Sequence, residues 1–390
     1  MNGTGYTTEE RRVLEVAAGA GYLVEAAPGL VTEPELLTEA LGRVLGLGRA
    51  CTRRVAVITD SNVGPLYAGR VAAVLEGLAH GAHAGTISIP AGEPSKTPAV
   101  LVRVLEDLAA MRLTRSDAVI AIGGGVVGDL AGLAAALYMR GIDCLQIPTS
   151  LLAMVDSSVG GKTAVDLEAG KNLMGVFSQP VGVLVDPLVL KTLPPREVSC
   201  GWGEIIKYAG IDEAVRPLVR RELLGNSGSS SGKSVPLPGI GLICAAIDVK
   251  RRIVAADEKE SGCRKLLNYG HTVGHAVETA SRYRLSHGAA VGIGMHVLMK
   301  ALAASDALEP GMLGELEALL TAAGLPVGIP AELLDDPALD FRPEALLDVA
   351  RHDKKSAAGG VSLILPAAPG RAEIRRVSWP ELEDMIRRGL

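Results

Sequence analysis

The chain has 390 residues, 48% hydrophobic and 21% charged, enough for two domains with cores of their own. A formal charge of −5 and a 3% aromatic content exclude a basic phosphate-backbone surface and a base-stacking platform, and with them a primary role in nucleic-acid binding. Cys51, Cys144, Cys200, Cys244 and Cys263 form no CxxC pair and are odd in number, so they read as reduced, mostly buried thiols of a cytoplasmic protein, and the first residues carry no signal-peptide pattern.

In chain order, Arg54–Thr59 reads as a buried strand, followed by Asp60 and a helix near 64–79. A strand from Gly85 leads through Glu93 and Lys96 into a helix near 97–112. Strands follow at 117–122, 143–148 and 182–186, with a helix from about 127. Such alternation predicts an α/β layer on a largely parallel sheet. The apolar stretch 118–139 has the length of a membrane span, but Asp129 and the glycines at 123–125 favour a buried strand, a turn and a buried helix. Beyond about residue 195 the pattern becomes helical, near 197–224, 239–258, 264–282, 287–306, 310–324 and 342–352, with a small hairpin around Ile364 and Leu365. The run 225–234, rich in Gly and Ser, reads as a linker-like loop.

Gly123 to Asp129 follows a strand and opens a helix, where backbone N–H groups and the helix dipole suit a pyrophosphate. Asp60, at a strand end, suits either a ribose hydroxyl or a local cap. Asp156 to Lys162, then Lys171 and Asn172, form a second Gly/Lys-rich cluster suited to a small anionic substrate, but not a Walker A loop, because Asp156 stands where its first glycine is required. Arg140 and the pair Lys354–Lys355 add cations near element ends.

Read as one helix, Arg264, Asn268, His271 and His275 fall on a single face, a polar stripe suited to an anion or a metal. Spacing alone nominates both His271 and His275 as ligands, without the Glu of a metalloprotease motif. Glu204, His271 and His287 come from three segments and would form a two-histidine, one-carboxylate set with open positions, the pattern of a catalytic rather than a structural metal. His296, in an apolar run, reads as a core residue.

These stretches resemble the 3-dehydroquinate synthase family of sugar phosphate cyclases, through Gly-Gly-Gly-Val-Val-Gly-Asp, Pro-Thr-Ser-Leu-Leu-Ala-Met-Val-Asp-Ser-Ser-Val-Gly-Gly-Lys-Thr, Gly-Lys-Asn-Leu, Glu-Ile-Ile-Lys, Leu-Leu-Asn-Tyr-Gly-His-Thr-Val-Gly-His and Asp-Lys-Lys. The resemblance covers roughly residues 50–390. It implies an N-terminal Rossmann-like domain (1–195) for NAD, a mostly helical metal- and substrate-binding domain (196–390), and an active site in the cleft between them. It assigns Zn²⁺ or Co²⁺ to Glu204, His271 and His287, and moves His275 from the metal to the substrate. Lys162, Asn172, Lys207, Lys250, Arg264, Asn268 and Lys355 become substrate contacts, with Asp156 near the reacting hydroxyls. Arg140 is expected to reach the substrate of a neighbouring subunit, implying a homodimer. Asp60, Glu93, Lys96, Gly124, Gly125, Asp129, Thr149, Ser150, Lys162 and Lys171 fall where the family binds NAD.

The implied reaction, part of the shikimate pathway, converts 3-deoxy-D-arabino-heptulosonate 7-phosphate into 3-dehydroquinate and phosphate by transient oxidation, phosphate elimination, re-reduction and intramolecular aldol closure. Ser150 replaces a more usual Thr with its hydroxyl retained, and Trp202-Gly203 precedes Glu204 where smaller residues are commoner. Alternatives on the same fold are amino-dehydroquinate synthase, the 2-deoxy-scyllo-inosose and 2-epi-5-epi-valiolone synthases and, more distantly, metal-dependent alcohol or glycerol dehydrogenases.

Overall fold

The computed structural model describes residues 10–48, 51–225, 235–353 and 359–390. The Gly/Ser-rich run from 226 to 234 and Lys355 lie outside them. The chain divides into two compact units, residues 1–193 with 250–258, and residues 194–249 with 259–390.

In the first unit the elements are β1 (Arg12–Val16), β2 (Tyr22–Ala26), α1 (Pro34–Leu45), β3 (Val55–Asp60), α2 (Gly69–Leu78), β4 (His83–Ile89), α3 (Pro98–Ala110), β5 (Ala118–Gly123), α4 (Gly125–Leu137), β6 (Asp143–Pro148), β7 (Lys162–Leu167), β8 (Gly170–Phe177) and β9 (Gly182–Val185). The main sheet runs β1-β2-β9-β6-β5-β3-β4, parallel except for the β1–β2 pair. Both faces of such a sheet are covered, so its central strands are apolar throughout rather than alternating, as in the fully buried β5. The membrane-length stretch is β5 and α4: Leu130, Ala131, Leu133 and Ala134 are at most 1% exposed and pack on Ile58, Val104 and Leu108. Among the described residues no helix is long and apolar enough to cross a membrane.

The N-terminal β1–β2 hairpin and the separate β7–β8 hairpin have no counterpart among the sequence-based expectations. Arg12 to Val16 gives no clear alternation because most of its residues are exposed. β7 and β8 read instead as a Gly/Lys-rich loop, and Asn172 adopts a left-handed φ of 56° within β8.

The second unit holds α5 (Pro195–Ile211), α6 (Val215–Leu224), most of α7 (Ile240–Ala256), α8 (His271–Ala280), α9 (His287–Ala303), α10 (Met312–Ala322), α11 (Ala331–Leu334), α12 (Pro343–Asp353), β10 (Val361–Ala368), β11 (Arg371–Val377) and α13 (Trp379–Gly389). The single segment expected over 197–224 is two helices, because Asp212 leaves the helix in an extended conformation and its carboxylate accepts from the N–H groups of Ala214 and Val215. The hairpin expected around Ile364 is β10–β11. The terminal helix α13 was legible in principle: Ser378 caps it by accepting from the Glu381 N–H, and Leu382, Met385 and Ile386 recur at helical spacing. These join Val273, Val277, Ile293, Leu346 and Leu363 in the core of this unit.

Candidate active site

The continuous helix expected from Arg264 to His275 does not exist. Residues 263–268 form a tight 3₁₀ turn, Tyr269 turns extended (ψ 126°), and Gly270 takes a left-handed φ of 78° before α8 begins at His271. The break has a steric cause. A Cβ on Gly270 would stand 2.6 Å from the Val291 carbonyl oxygen, so only glycine fits both the conformation and the approach to α9. Arg264 and Asn268 therefore do not share a helix face with the two histidines. His271 and His275 do, one turn apart on α8.

From that face and from the first residue of α9, three imidazoles converge. His271, His275 and His287 each place a ring nitrogen within 4.8 Å of the others, with ring centroids 5.2–5.8 Å apart. Glu204, fully buried on α5, points its Oε1 at the Nε2 of His271 (3.5 Å) and of His287 (3.2 Å). Burial holds the His271 imidazole well below its usual value, against the pull of Glu204, which keeps the ring neutral. Burial also acts downward on His287, but the Glu204 and Glu278 carboxylates, which accept from its ring nitrogens, outweigh it and raise the ring to about 10.

The backbone brings these side chains together by close helix approach. Gly203, beside Glu204, faces Gly288, beside His287, across α5 and α9. A Cβ on Gly203 would come to 2.4 Å of the Gly288 carbonyl oxygen, and one on Gly288 to 1.9 Å of the Cys200 carbonyl oxygen. Trp202, next to Gly203, is fully buried, its indole N–H donating to the Pro236 carbonyl at 2.8 Å. The departure seen in the sequence at Trp202-Gly203 is thus a packing solution around the carboxylate.

Two imidazoles joined by a buried carboxylate, with a third imidazole alongside, are the nitrogen and oxygen donors Zn²⁺ or Co²⁺ takes. His271 turns its Nδ1 to the Tyr269 carbonyl at 3.1 Å, so its Nε2 faces the cluster. The residues fit a divalent metal.

The same unit holds buried cations. Lys207, one turn after Glu204, forms an ion pair with its carboxylate, and Arg264 is 1% exposed. The Asn268 amide donates to Glu260 at 2.6 Å. His296 lies 8% exposed, and its Nε2 meets the half-exposed Glu317 carboxylate at 3.0 Å, so it is a buried ring with a polar partner rather than simple apolar packing.

In the first unit Asp60, Gly124, Gly125, Thr149 and Ser150 lie at the carboxyl ends of the parallel strands, whereas Arg140 precedes β6 at an amino end and Lys162 lies on the separate β7–β8 hairpin. The chain leaves β3 for β4 on one side and returns to β5 on the other, so the ends of β3 and β5 flank a topological switch point, where open α/β sheets bind ligands. Gly124 and Gly125 form the start of α4 there, with Ser150 and Ser157 beside them. The Thr149 N–H donates to the Gly123 carbonyl at 2.9 Å, tying the segment after β6 to the same turn. Asp60 ends β3, and its Oδ1 accepts from the N–H groups of Asn62 and Val63 at 2.8 and 2.9 Å, which is the capping alternative.

Lys96, 6% exposed, pairs with Asp129 of α4 at 2.6 Å and donates to Asn172, while Lys171 reaches Glu93 at 3.3 Å. Burial acts downward on Lys96, but Asp129 outweighs it and raises the ammonium; at Asp129 burial outweighs Lys96 and raises the carboxyl. Lys250 donates to the Asp156 carboxylate at 2.8 Å and to its carbonyl at 2.6 Å. Lys162 is exposed on β7, and Arg140 is exposed just past α4, where Met139 and Arg140 both take left-handed φ values of 52° and 67°.

One polar residue at the cluster escaped the sequence reading. Glu278 lies seven residues after His271, on the same face of α8 as His271 and His275, and meets His287 Nδ1 at 3.3 Å. The i, i+4, i+7 spacing was its available signal.

The model of 3-dehydroquinate synthase N-terminal domains matches residues 86–200 and that of the C-terminal domains residues 201–356. A 3-dehydroquinate synthase of Lactiplantibacillus plantarum is 43% identical over 333 residues, 85% of this chain and 88% of the relative. One from Xanthomonas campestris pv. campestris is 41% identical over 376 residues, 93% of this chain and 94% of the relative. Among solved structures, a 2-epi-5-epi-valiolone synthase from Streptomyces hygroscopicus subsp. jinggangensis, with NAD⁺ and Zn²⁺ bound, superposes with a TM-score of 0.77 at 28% identity, covering 94% of this chain and 96% of that one.

Proposed function

The chain belongs to the 3-dehydroquinate synthase family, and from that premise we propose that it eliminates phosphate from 3-deoxy-D-arabino-heptulosonate 7-phosphate and closes the carbocycle of 3-dehydroquinate, using NAD⁺ and a divalent metal as catalytic cofactors. The carrying observation is the convergence of His271, His275 and His287 on one another, with His271 and His287 meeting the buried Glu204 carboxylate.

In this reading Glu204, His271 and His287 hold the metal. When bound, the metal supplies Lewis acidity toward a substrate hydroxyl, and NAD⁺ takes and returns a hydride. The start of α4, with Gly124 and Gly125, receives the dinucleotide pyrophosphate. Lys96, Asp129, Glu93, Lys171, Thr149 and Ser150 frame it, with Lys162 nearby, and the free acceptor capacity of Asp60 is directed to a ribose. Lys162, Asn172, Lys207, Lys250, Arg264, Asn268 and Lys355 bind the two anionic ends of the substrate, which orients it and stabilises phosphate as it departs. Asp156, held by Lys250, faces the reacting hydroxyls, and His275 relays a proton to the leaving phosphate.

The active species in this reading is a homodimer to which Arg140 contributes across the interface. Its support is the β7–β8 hairpin, where Leu167, Leu173, Met174, Val176 and Phe177 are all more than a third exposed, with Leu137 and Met139 exposed at the end of α4.

The test is turnover by the purified chain supplied with Zn²⁺ and NAD⁺. Equal amounts of phosphate and 3-dehydroquinate, no accumulating NADH and loss of activity on chelation are expected. NADH released in step with turnover would instead mark a dehydrogenase. Turnover only of the amino analogue of the substrate would mark the amino-dehydroquinate activity.

A further inference from the structure

Each metal-facing imidazole of the cluster has two ring nitrogens, and the second one decides how the first is aimed. For His271 the second nitrogen is held by a backbone carbonyl, that of Tyr269, at 3.1 Å. For His287 it is held by a side chain. Glu278 Oε2 lies 3.3 Å from His287 Nδ1, while His287 Nε2 lies 3.2 Å from Glu204 Oε1 on the opposite edge of the ring.

Three features make this contact more than a chance neighbour. Glu278 is 6% exposed, and a carboxylate is seldom placed at that depth without a polar task. It sits one helical turn beyond His275 on the face of α8 that already carries His271, so one rigid helix supplies a ligand for the metal and a support for the ligand on the next helix. His287 is the first residue of α9, preceded by Ser286, whose hydroxyl caps the helix by accepting from the Ala289 N–H. At a helix start a side chain lacks a preceding helical turn to pack against, and its ring is 30% exposed, so backbone and packing alone leave its rotation loosely fixed.

We propose that Glu278 is the positioning residue of the metal centre, orienting His287 by accepting the Nδ1 proton so that Nε2 is presented to the metal beside Glu204. The proposal rests on the metal-binding reading above. Glu278 does not touch substrate or metal; it acts through His287, and the carboxylate makes that ring a stronger donor.

The experiment is metal affinity rather than turnover, measured on the full chain by chelator competition with Zn²⁺ and by visible absorption with Co²⁺. Glu278→Gln keeps the size and removes the charged acceptor, and it should weaken the metal by about 10- to 100-fold while the metal-free protein melts at an unchanged temperature. Glu278→Asp keeps the charge but withdraws it by one methylene and should weaken the metal in the same direction, giving a second reading should the first variant fold poorly. In a His287→Gln background, Glu278→Gln should cause no further loss, because its effect passes through the ring. Affinity within twofold of the unsubstituted protein in both variants, or an undiminished loss in the His287→Gln background, overturns the proposal. Failure of the metal reading itself would look different: the unsubstituted chain would bind neither metal, or Glu204→Ala would leave its affinity intact.

Discussion

Gly203 and Gly288 meet backbone to backbone where α5 crosses α9, with room for no more than a hydrogen between Gly203 and the Gly288 carbonyl. Each is the immediate neighbour of a cluster residue, Glu204 and His287, so the crossing sets the distance between a carboxylate on one helix and an imidazole on the other. Because the obstructing atoms are backbone, no rotamer change relieves an added methyl group. Gly203→Ala and Gly288→Ala are each expected to cost at least about 1–3 kcal/mol, Gly288→Ala the more, and to weaken metal binding as the helices part. Gly314→Ala on α10, where a Cβ meets nothing within 4 Å, should instead raise stability by up to about 1 kcal/mol. Urea unfolding of the three variants checks the order.

Much of this was legible from the sequence, for reasons that differ by region. The parallel strands were plain because burial on both faces leaves continuous apolar runs such as Ala118–Gly123, which polar flanks delimit. His271, His287 and Glu204 were legible as a set through the family resemblance and through the clustering of histidines. The helix break at Gly270 was not, because a glycine inside a periodic pattern is tolerated as often as it terminates, and the deciding fact is a carbonyl on α9 about twenty residues away. Glu278 escaped because a carboxylate on a helix reads as surface until its burial is known. The β7–β8 hairpin escaped because its outward residues are apolar as well, which erases the alternation that marks a strand.

The Lys96–Asp129 pair should show the asymmetry of a buried ion pair. The side chains are 6% and 18% exposed, and burial pushes the Asp129 carboxyl upward even as its charge holds the Lys96 proton. Such a pair adds little net stability, yet losing one partner strands the other. Asp129→Leu alone is therefore expected to cost about 3–5 kcal/mol. The double variant Lys96→Met with Asp129→Leu should recover most of that loss, as read by unfolding of the NAD-free protein. Equal losses in the single and double variants would show that Lys96 is not stranded.

Thiol chemistry should follow burial. Desolvation raises the Cys144 thiol to about 12 and the Cys200 thiol to about 11, so at pH 8 almost none of either is thiolate. Cys263 is exposed and Cys51 partly so. A disulfide-exchange reagent at pH 8 should label Cys263 first and Cys51 next, leaving Cys144 and Cys200 untouched until denaturant is added. Peptide mapping of the labelled protein checks this, and rapid labelling of Cys144 would show that the core beside β6 opens under native conditions.

The exposed apolar hairpin sets the last expectation. Leu173 and Phe177 lie four residues apart in β8, on one face by strand alternation, and are 46% and 45% exposed. Five large apolar residues on one two-stranded ribbon are more than a monomer usually leaves in water, and in the reading proposed above a second copy of the chain covers them. Leu173→Lys combined with Phe177→Lys would place two like charges from each subunit at such a junction, while in a monomer both positions would remain solvated and neutral in their effect on folding. The expected outcome is a monomer by sedimentation velocity, with an unchanged melting temperature for the first unit. On the role proposed for Arg140 across the interface, turnover should fall together with any loss of the dimer, and adding Arg140→Ala to the double variant should cost nothing further. A double variant that stays dimeric, or a monomer that keeps full turnover, would move the interface elsewhere or remove Arg140 from the chemistry.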